Sequence, residues 1–239
     1  MTPDEFFRIF DDEHELFLAA CERAGLSAPV PSCPGWKVSD LLYHLYEVQY
    51  GWNRVTTERR ESFEGLAWPA RAADDRLVDL VRGEHQGYTA MLRSFEPDTP
   101  IWTWTGTQTF AWLIRRMAQE TAVHRIDAEL AAGEAGAVDT RLASDGIDEF
   151  LEFFLNRRGG DAVGGSVHIH CTDVDGEWTV RESGDVFTVA REHAKGDAAI
   201  RGAANDVLLA LWRRTSLSTC DVVGDAAVAD RFVAASALD

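Results

Sequence analysis

Residues 111–132 contain neither proline nor glycine and are rich in Ala, Leu, Arg, Met, Gln and Glu, which enter a helix at little cost. The run predicts one long helix, and the rest of the chain has to be arranged around it. Within it Glu120 and His124 stand four residues apart, so they project from one face, one turn above the other. Leu113 and Met117 continue that face in one direction, and Asp127, Ala128 and Ala131 in the other. Its apolar end directs the face inward. A carboxylate and an imidazole buried bare are costly, so they need partners there. A metal ion, with a third ligand from another helix, is one such partner. The plainer alternative is a solvated Glu–His pair, which adds only about 0.2–0.5 kcal/mol to a helix.

Three further helices precede this one. Pro3, followed by Asp4 and Glu5, marks a helix start. Phe6, Phe10 and Phe17 then recur at helical spacing to about residue 24, with His14 among acidic residues and expected at the surface. Two prolines and Gly35 make residues 30–36 a rigid loop. The second helix runs over 38–57 with the stripe Leu41, Leu45, Val48, Trp52 and Val55, and either Ser39 or the poorly suited Lys37 has to cap it. His44 lies on the edge of that stripe. A histidine there is ordinarily a satisfied core residue, but the inward Glu–His pair elsewhere makes it a candidate ligand. The third helix starts at Asp74 and carries Leu77, Val81, Tyr88, Leu92 and Phe95 inward. His85 falls on its inner face as a rival ligand, in a poorer pattern near Gly83 and Gly87. Around Trp102 and Trp104 the chain reads as an aromatic loop that either lines an opening or caps the helices. Four helices joined by short or medium loops predict a four-helix bundle, an architecture that builds metal sites from facing helices.

Beyond residue 132 the pattern changes. A Gly- and Ala-rich linker leads to a helix over 142–156, then to a flexible break at 157–165. Alternation then predicts strands over 166–172, 177–182 and 186–190, with turns at Asp175-Gly176 and Gly184-Asp185. Helices over 207–214 and 225–237 follow. The fold class is therefore α+β: a helical bundle over 1–140 and a small α+β domain over 141–239 on an antiparallel sheet. His168 and His170 share one face of what reads as a sheet edge, with no nearby carboxylate or cysteine to complete a metal set.

Charge and cysteine usage narrow the function. With 40 acidic against 23 basic residues the net charge is −17, which argues against nucleic acid and against an anionic membrane surface as partner. No apolar run is long enough for a membrane span, and no secretory signal is apparent, so a cytoplasmic location is expected. Cys21, Cys33, Cys171 and Cys220 are scattered, which excludes a zinc ribbon and predicts reduced thiols. Cys33 reads as a partly buried, passive thiol.

Two motifs are familiar. Pro34-Gly-Trp-Lys-Val-Ser-Asp-Leu-Leu-Tyr-His44-Leu and Glu120-Thr-Ala-Val-His124-Arg-Ile-Asp127-Ala-Glu resemble segments of the mycothiol-dependent maleylpyruvate isomerase family, one of the DinB-like metal-binding bundles. The segment from Ile200 to Arg214 resembles that family's C-terminal sterol-carrier-like domain. The resemblance implies that His44, Glu120 and His124 hold a divalent metal, zinc best suiting two imidazoles and a carboxylate, with a position left open for water or a thiolate. It further implies mycothiol as cosubstrate. Its thiolate adds to the cis double bond of maleylpyruvate; rotation and elimination then give fumarylpyruvate. Arg214 matches an arginine that could hold a substrate carboxylate. Asp127 is either the acceptor for a ligand's imidazole N–H or an outer ion pair with Arg125.

Two departures stand out. Lys37 replaces a capping Thr, and Arg213 replaces a Gly, so the segment carrying Arg214 is open to a different shape. Function is accordingly expected to be a metal- and mycothiol-dependent isomerase or S-transferase acting on a small molecule, as a monomer or homodimer. The alternatives are a metal-dependent hydrolase on the same bundle, or a non-enzymatic protein that binds metal and ligand.

Overall fold

The structure, a computed structural model, describes residues 1–134, 136–155, 162–184 and 186–235. It divides into two compact units, Met1–Gly136 and Ala137–Asp239. The α+β class is as expected.

The first unit contains helices α1 (Pro3–Ala24), α2 (Val38–Thr57), α3 (Leu77–Leu92) and α4 (Phe110–Ala131). At the start of α1 a reciprocal cap satisfies two free donors: Thr2 Oγ1 accepts from the Glu5 N–H at 3.2 Å, and the Glu5 carboxylate accepts from the Thr2 N–H at 2.7 Å. At α2 the capping residue is Lys37, whose side chain makes no cap bond; Asp40 compensates by accepting from the Lys37 N–H at 2.8 Å. Phe17, Leu18, Leu41, Leu42, Leu45, Leu77, Val81 and Ala128 meet in the core between the four helices. Gly51, midway along α2, lets the loop that follows lie close, since a Cβ there would stand 2.8 Å from the Trp68 ring.

Two expectations in this unit need correction. Residues around Trp102 do not form a loop: β1 (Pro100–Thr103) pairs antiparallel with β2 (Gly106–Thr109), a hairpin inserted in the bundle. Alternating aromatic and β-branched residues favour the extended form, and Gly106, at φ +103°, closes the turn. Trp102 packs against Trp52 and Phe63, and Trp104 against Trp112, so these rings cap the helices. The hairpin's last residue is also the cap of α4, Thr109 Oγ1 accepting from the Trp112 N–H. His14, expected outside, is wholly buried. It stands one turn from Phe10 and Phe17 and shares their inward stripe, while its acidic neighbours take the outer face. Its ring stacks on His85 with centroids 3.7 Å apart, and burial pushes its pKa down to about 2.

In the second unit, α5 (Thr140–Glu149) is capped by Asp139, which accepts from the Arg141 and Leu142 N–H groups, and continues as a π-helical turn over Phe150–Phe154. A five-stranded sheet follows in the order β5-β4-β3-β6-β7. Its strands are β3 (Ser166–Cys171), β4 (Glu177–Ser183), β5 (Val186–Ala190), β6 (Ala198–Gly202) and β7 (Asp221–Gly224), with α6 (Ala204–Leu211) and α7 (Ala226–Ala235) completing the unit. Val167, Ile169, Trp178, Val180, Phe187, Ala198 and Ile200 bury one face. The sheet is mixed, because β3 pairs parallel with β6. β3 is therefore central, and His168 and His170 do not lie on an edge strand. Among the described residues no helix is long and apolar enough to cross a membrane. The break expected at 157–165 falls largely outside the described residues, as do Asn156, Asp185 and Ala237.

Arg213 keeps the backbone that glycine would favour, at φ +57°. It closes α6 in a Schellman arrangement: the Arg213 N–H donates to the Ala210 carbonyl and the Arg214 N–H to the Leu209 carbonyl. A side chain in that conformation costs about 1 kcal/mol. Arg213→Gly is therefore expected to raise stability by about 1 kcal/mol, read as a higher urea midpoint with an unchanged slope; an unchanged or lower midpoint would show that the arginine's own contacts outweigh the strain.

Candidate metal centre

α4 is buried on almost every face, and Arg116, Gln119, Thr121, His124, Arg125, Asp127 and Glu129 go inside with its apolar residues. Charges carried inside have to be paired. Arg125 meets Glu13 of α1 at 2.6 Å and Glu129 at 2.8 Å. The other charged residues form a line along the helix: Arg116 contacts Glu120, Glu120 contacts His124, and His124 contacts Asp127. The solvated-pair alternative for Glu120 and His124 is excluded by this burial.

His44 enters from α2. Its Nε2 lies 3.2 Å from Glu120 Oε1, and His124 Nε2 lies 3.2 Å from the same oxygen. All three donor atoms fall within 4.8 Å of one another. The two imidazole rings meet edge to face, with centroids 4.8 Å apart, and Trp36 tilts against His44 at 5.1 Å. His85, the rival ligand, is elsewhere: its Nε2 pairs with Asp11 at 2.9 Å.

The donor set fits a zinc-class ion. Zinc–ligand bonds of about 2.0–2.1 Å in a tetrahedron separate the ligand atoms by about 3.3 Å, close to the two 3.2 Å nitrogen–oxygen separations found. The His124 ring is also oriented for ligation. Its Nδ1 lies 2.8 Å from Asp127 Oδ2, which fixes the Nδ1–H tautomer and leaves Nε2 for a metal. Asp127 is fully buried and is held in turn by the Pro-rich loop, with the Ser32 hydroxyl donating at 2.5 Å and the Cys33 thiol at 3.7 Å. Of the two expectations for Asp127, the imidazole acceptor is the one found, and Arg125 takes other partners. Cys33 is partly buried, as expected, and its thiol helps hold Asp127.

Electrostatics reinforce this arrangement. Burial raises the Glu120 pKa, but the Arg116 and His124 charges and the hydrogen bonds from both histidines outweigh it and hold the carboxyl well below its usual range. Burial likewise lowers the His124 pKa, but the Glu120 charge and the hydrogen bonds to Asp127 and Glu120 raise it to about 9. Without metal, His124 is an imidazolium that donates from both nitrogens. Arg116 has no counterpart among the residues singled out from the sequence; its i,i+4 spacing to Glu120 was the available signal. Arg214 lies in the second unit, just beyond α6, its guanidinium donating to the Trp212 carbonyl at 2.8 Å.

The sequence matches the mycothiol maleylpyruvate isomerase N-terminal domain over residues 7–129 and the MDMPI C-terminal domain over residues 141–231. The structure is similar to the crystal structures of the mycothiol-dependent maleylpyruvate isomerase and of a mutant of it. Each has a TM-score of 0.66 at 10% identity and covers 93% of both chains, a likeness of fold. No curated protein matches the sequence.

Two outcomes test the centre. Metal has to displace the His124 proton, which is bound below about pH 9 and free above it. Affinity for Zn²⁺ should therefore rise about tenfold per pH unit between 7 and 9 and then flatten, with proton release in weakly buffered calorimetry. Flat affinity across that range would rule out the imidazolium. Asp127→Asn should weaken binding by about 10–100-fold in the same titration; full affinity in the variant would leave Asp127 without a role in the site.

Proposed function

The chain belongs to the mycothiol maleylpyruvate isomerase family, and from that premise we propose that it is a metal-dependent enzyme that uses mycothiol's thiolate as a nucleophile on a small unsaturated acid. The observation that carries this reading is the convergence of His44, Glu120 and His124, with His124 already oriented by Asp127. Three protein donors leave a coordination position open, as catalytic rather than structural zinc sites do. When bound, the ion supplies a Lewis acid that lowers the pKa of a thiol placed beside it.

The chain's own residues have separate tasks. His44 and His124 each offer Nε2 as a donor once His124 has given up its second proton. Arg116 neutralises the Glu120 oxygen that faces away from the histidines, which leaves Oε1 as the donor. Asp127, fixed by Ser32 and Cys33, keeps the His124 ring from turning. Arg214 is assigned to pairing with a substrate carboxylate, a contact that Arg makes in bidentate fashion. The chemistry is redox-neutral: a C–S bond forms, the former double bond rotates, and the C–S bond breaks to return the thiol and the trans isomer.

The test uses cobalt-substituted protein titrated with mycothiol. A thiolate-to-metal charge-transfer band should grow to saturation in the native chain and be absent from His124→Ala. Isomerisation of maleylpyruvate should depend on both thiol and metal, and Arg214→Ala should lower kcat/KM by roughly 10–100-fold, about 1.4–2.7 kcal/mol of transition-state stabilisation. Absence of the band at saturating thiol, with cobalt bound, would exclude the thiol mechanism.

A further inference from the structure

The second unit carries another set of donors, on the sheet. His168 and His170 are two apart on β3 and share one face, while Val167, Ile169 and Cys171 turn to the core. The register sets Glu177 of β4 directly opposite His170, so its side chain projects from the same face. His193, in the segment after β5, meets the same carboxylate. Glu177 Oε1 lies 2.8 Å from His193 Nδ1, 3.7 Å from His168 Nε2, and in contact with His170 Nδ1. The His168 and His193 rings meet edge to face with centroids 5.0 Å apart.

Hydrogen bonding does not satisfy this cluster. His168 is only 8% exposed, and its Nε2 has no hydrogen-bond partner. The nearest charged atom, Glu177 Oε1 at 3.7 Å, is beyond hydrogen-bond reach. A buried, unpartnered imidazole nitrogen is costly, and three imidazoles converge on one oxygen that has two lone pairs. An ion at the centre removes both difficulties, because each nitrogen then offers a lone pair instead of competing to donate. Arg201, beside His170 on β6, has its own acidic neighbour in Asp221 at 3.7 Å. An open cleft of about 820 Å³, lined in part by His170, Glu177 and His193, gives an ion access from solvent.

We propose that His168, His170 and Glu177, whose ligand atoms lie within 4.8 Å of one another, form a second divalent transition-metal site, separate from the candidate centre in the bundle. Imidazole-rich donors select zinc, cobalt, nickel or copper over magnesium or calcium. Three protein donors leave a coordination position facing the cleft, which His193, held to Glu177 at 2.8 Å, flanks. An ion held there ties β4 to the central strand β3 and stabilises the unit by mass action.

The experiment is zinc content at buffered micromolar free Zn²⁺, measured on the full chain after chelator treatment and reloading. His170 and His193 are partly and largely exposed, so His170→Ala/His193→Ala should fold, as circular dichroism will verify. This double variant should hold one equivalent fewer than the native chain, whether or not the bundle site is filled. Zn²⁺ should raise the Tm of His124→Ala, which retains the second site, and not that of the triple variant lacking all three histidines. Equal zinc content in the native chain and the double variant would overturn the proposal, and so would binding that appears only at millimolar Zn²⁺. Loss of zinc in His124→Ala alone bears on the bundle site, so failure of one site is distinguishable from failure of the other.

Discussion

The first unit depends on the burial of a helix that carries charge. α4 takes Arg116, Glu120, His124, Arg125, Asp127 and Glu129 inside or nearly so, and no such group is stable there alone. Two separate networks result. On one side Arg125 binds Glu129 one turn away and Glu13 of α1, which fixes how those two helices pack. On the other, the line from Arg116 to Asp127 draws in His44 from α2 and Ser32 and Cys33 from the loop before it. Removing Arg125 would leave the buried Glu13 and Glu129 carboxylates without this partner, a loss of about 3–5 kcal/mol. The donors of the centre are thus held by the same interactions that hold the bundle.

The periodic features of the chain could be read from sequence. All four bundle helices stand where the apolar spacing puts them, because helix period is a local property, except that α3 ends at Leu92 and leaves Phe95, expected inside, exposed. Glu120 and His124 were visible for the same reason, being one turn apart. His14 is buried against the indication of its acidic neighbours, because its spacing from Phe10 and Phe17 puts it on the inward stripe. β6, with the sequence Ala-Ala-Ile-Arg-Gly, has little intrinsic strand tendency; parallel pairing beside β3 makes it a strand, and pairing between distant segments has no local signature. The Asp127 contacts were half visible: its distance from His124 is helical, but the Ser32 contact spans 95 positions.

The same distinction separates the two histidine clusters. In the bundle two of three donors come from one helix, so the sequence displays them together. On the sheet only His168 and His170 are neighbours, and they read as incomplete. Glu177 joins them through strand register, and His193 through the path of the chain after β5. The expectation that no carboxylate completed the pair failed on register, which turn geometry and the buried face decide jointly. Period-two histidines on a strand therefore need the opposite residue of the neighbouring strand before they can be judged.

Asp127 gives the bundle centre its particular character. Its hydrogen bond to Nδ1 orients the His124 ring, so the ring would not have to be ordered on binding an ion. The same bond helps hold a proton on His124 to about pH 9, and that proton competes with the ion for Nε2. Orientation and competition therefore come from one contact. Glu120 itself is ionised well below neutral pH, because its burial is outweighed by the Arg116 and His124 charges and the histidine hydrogen bonds. The carboxylate has no proton to lose, so an ion held here would displace the proton on His124 Nε2, in a frame that Arg116 and Asp127 hold from either side.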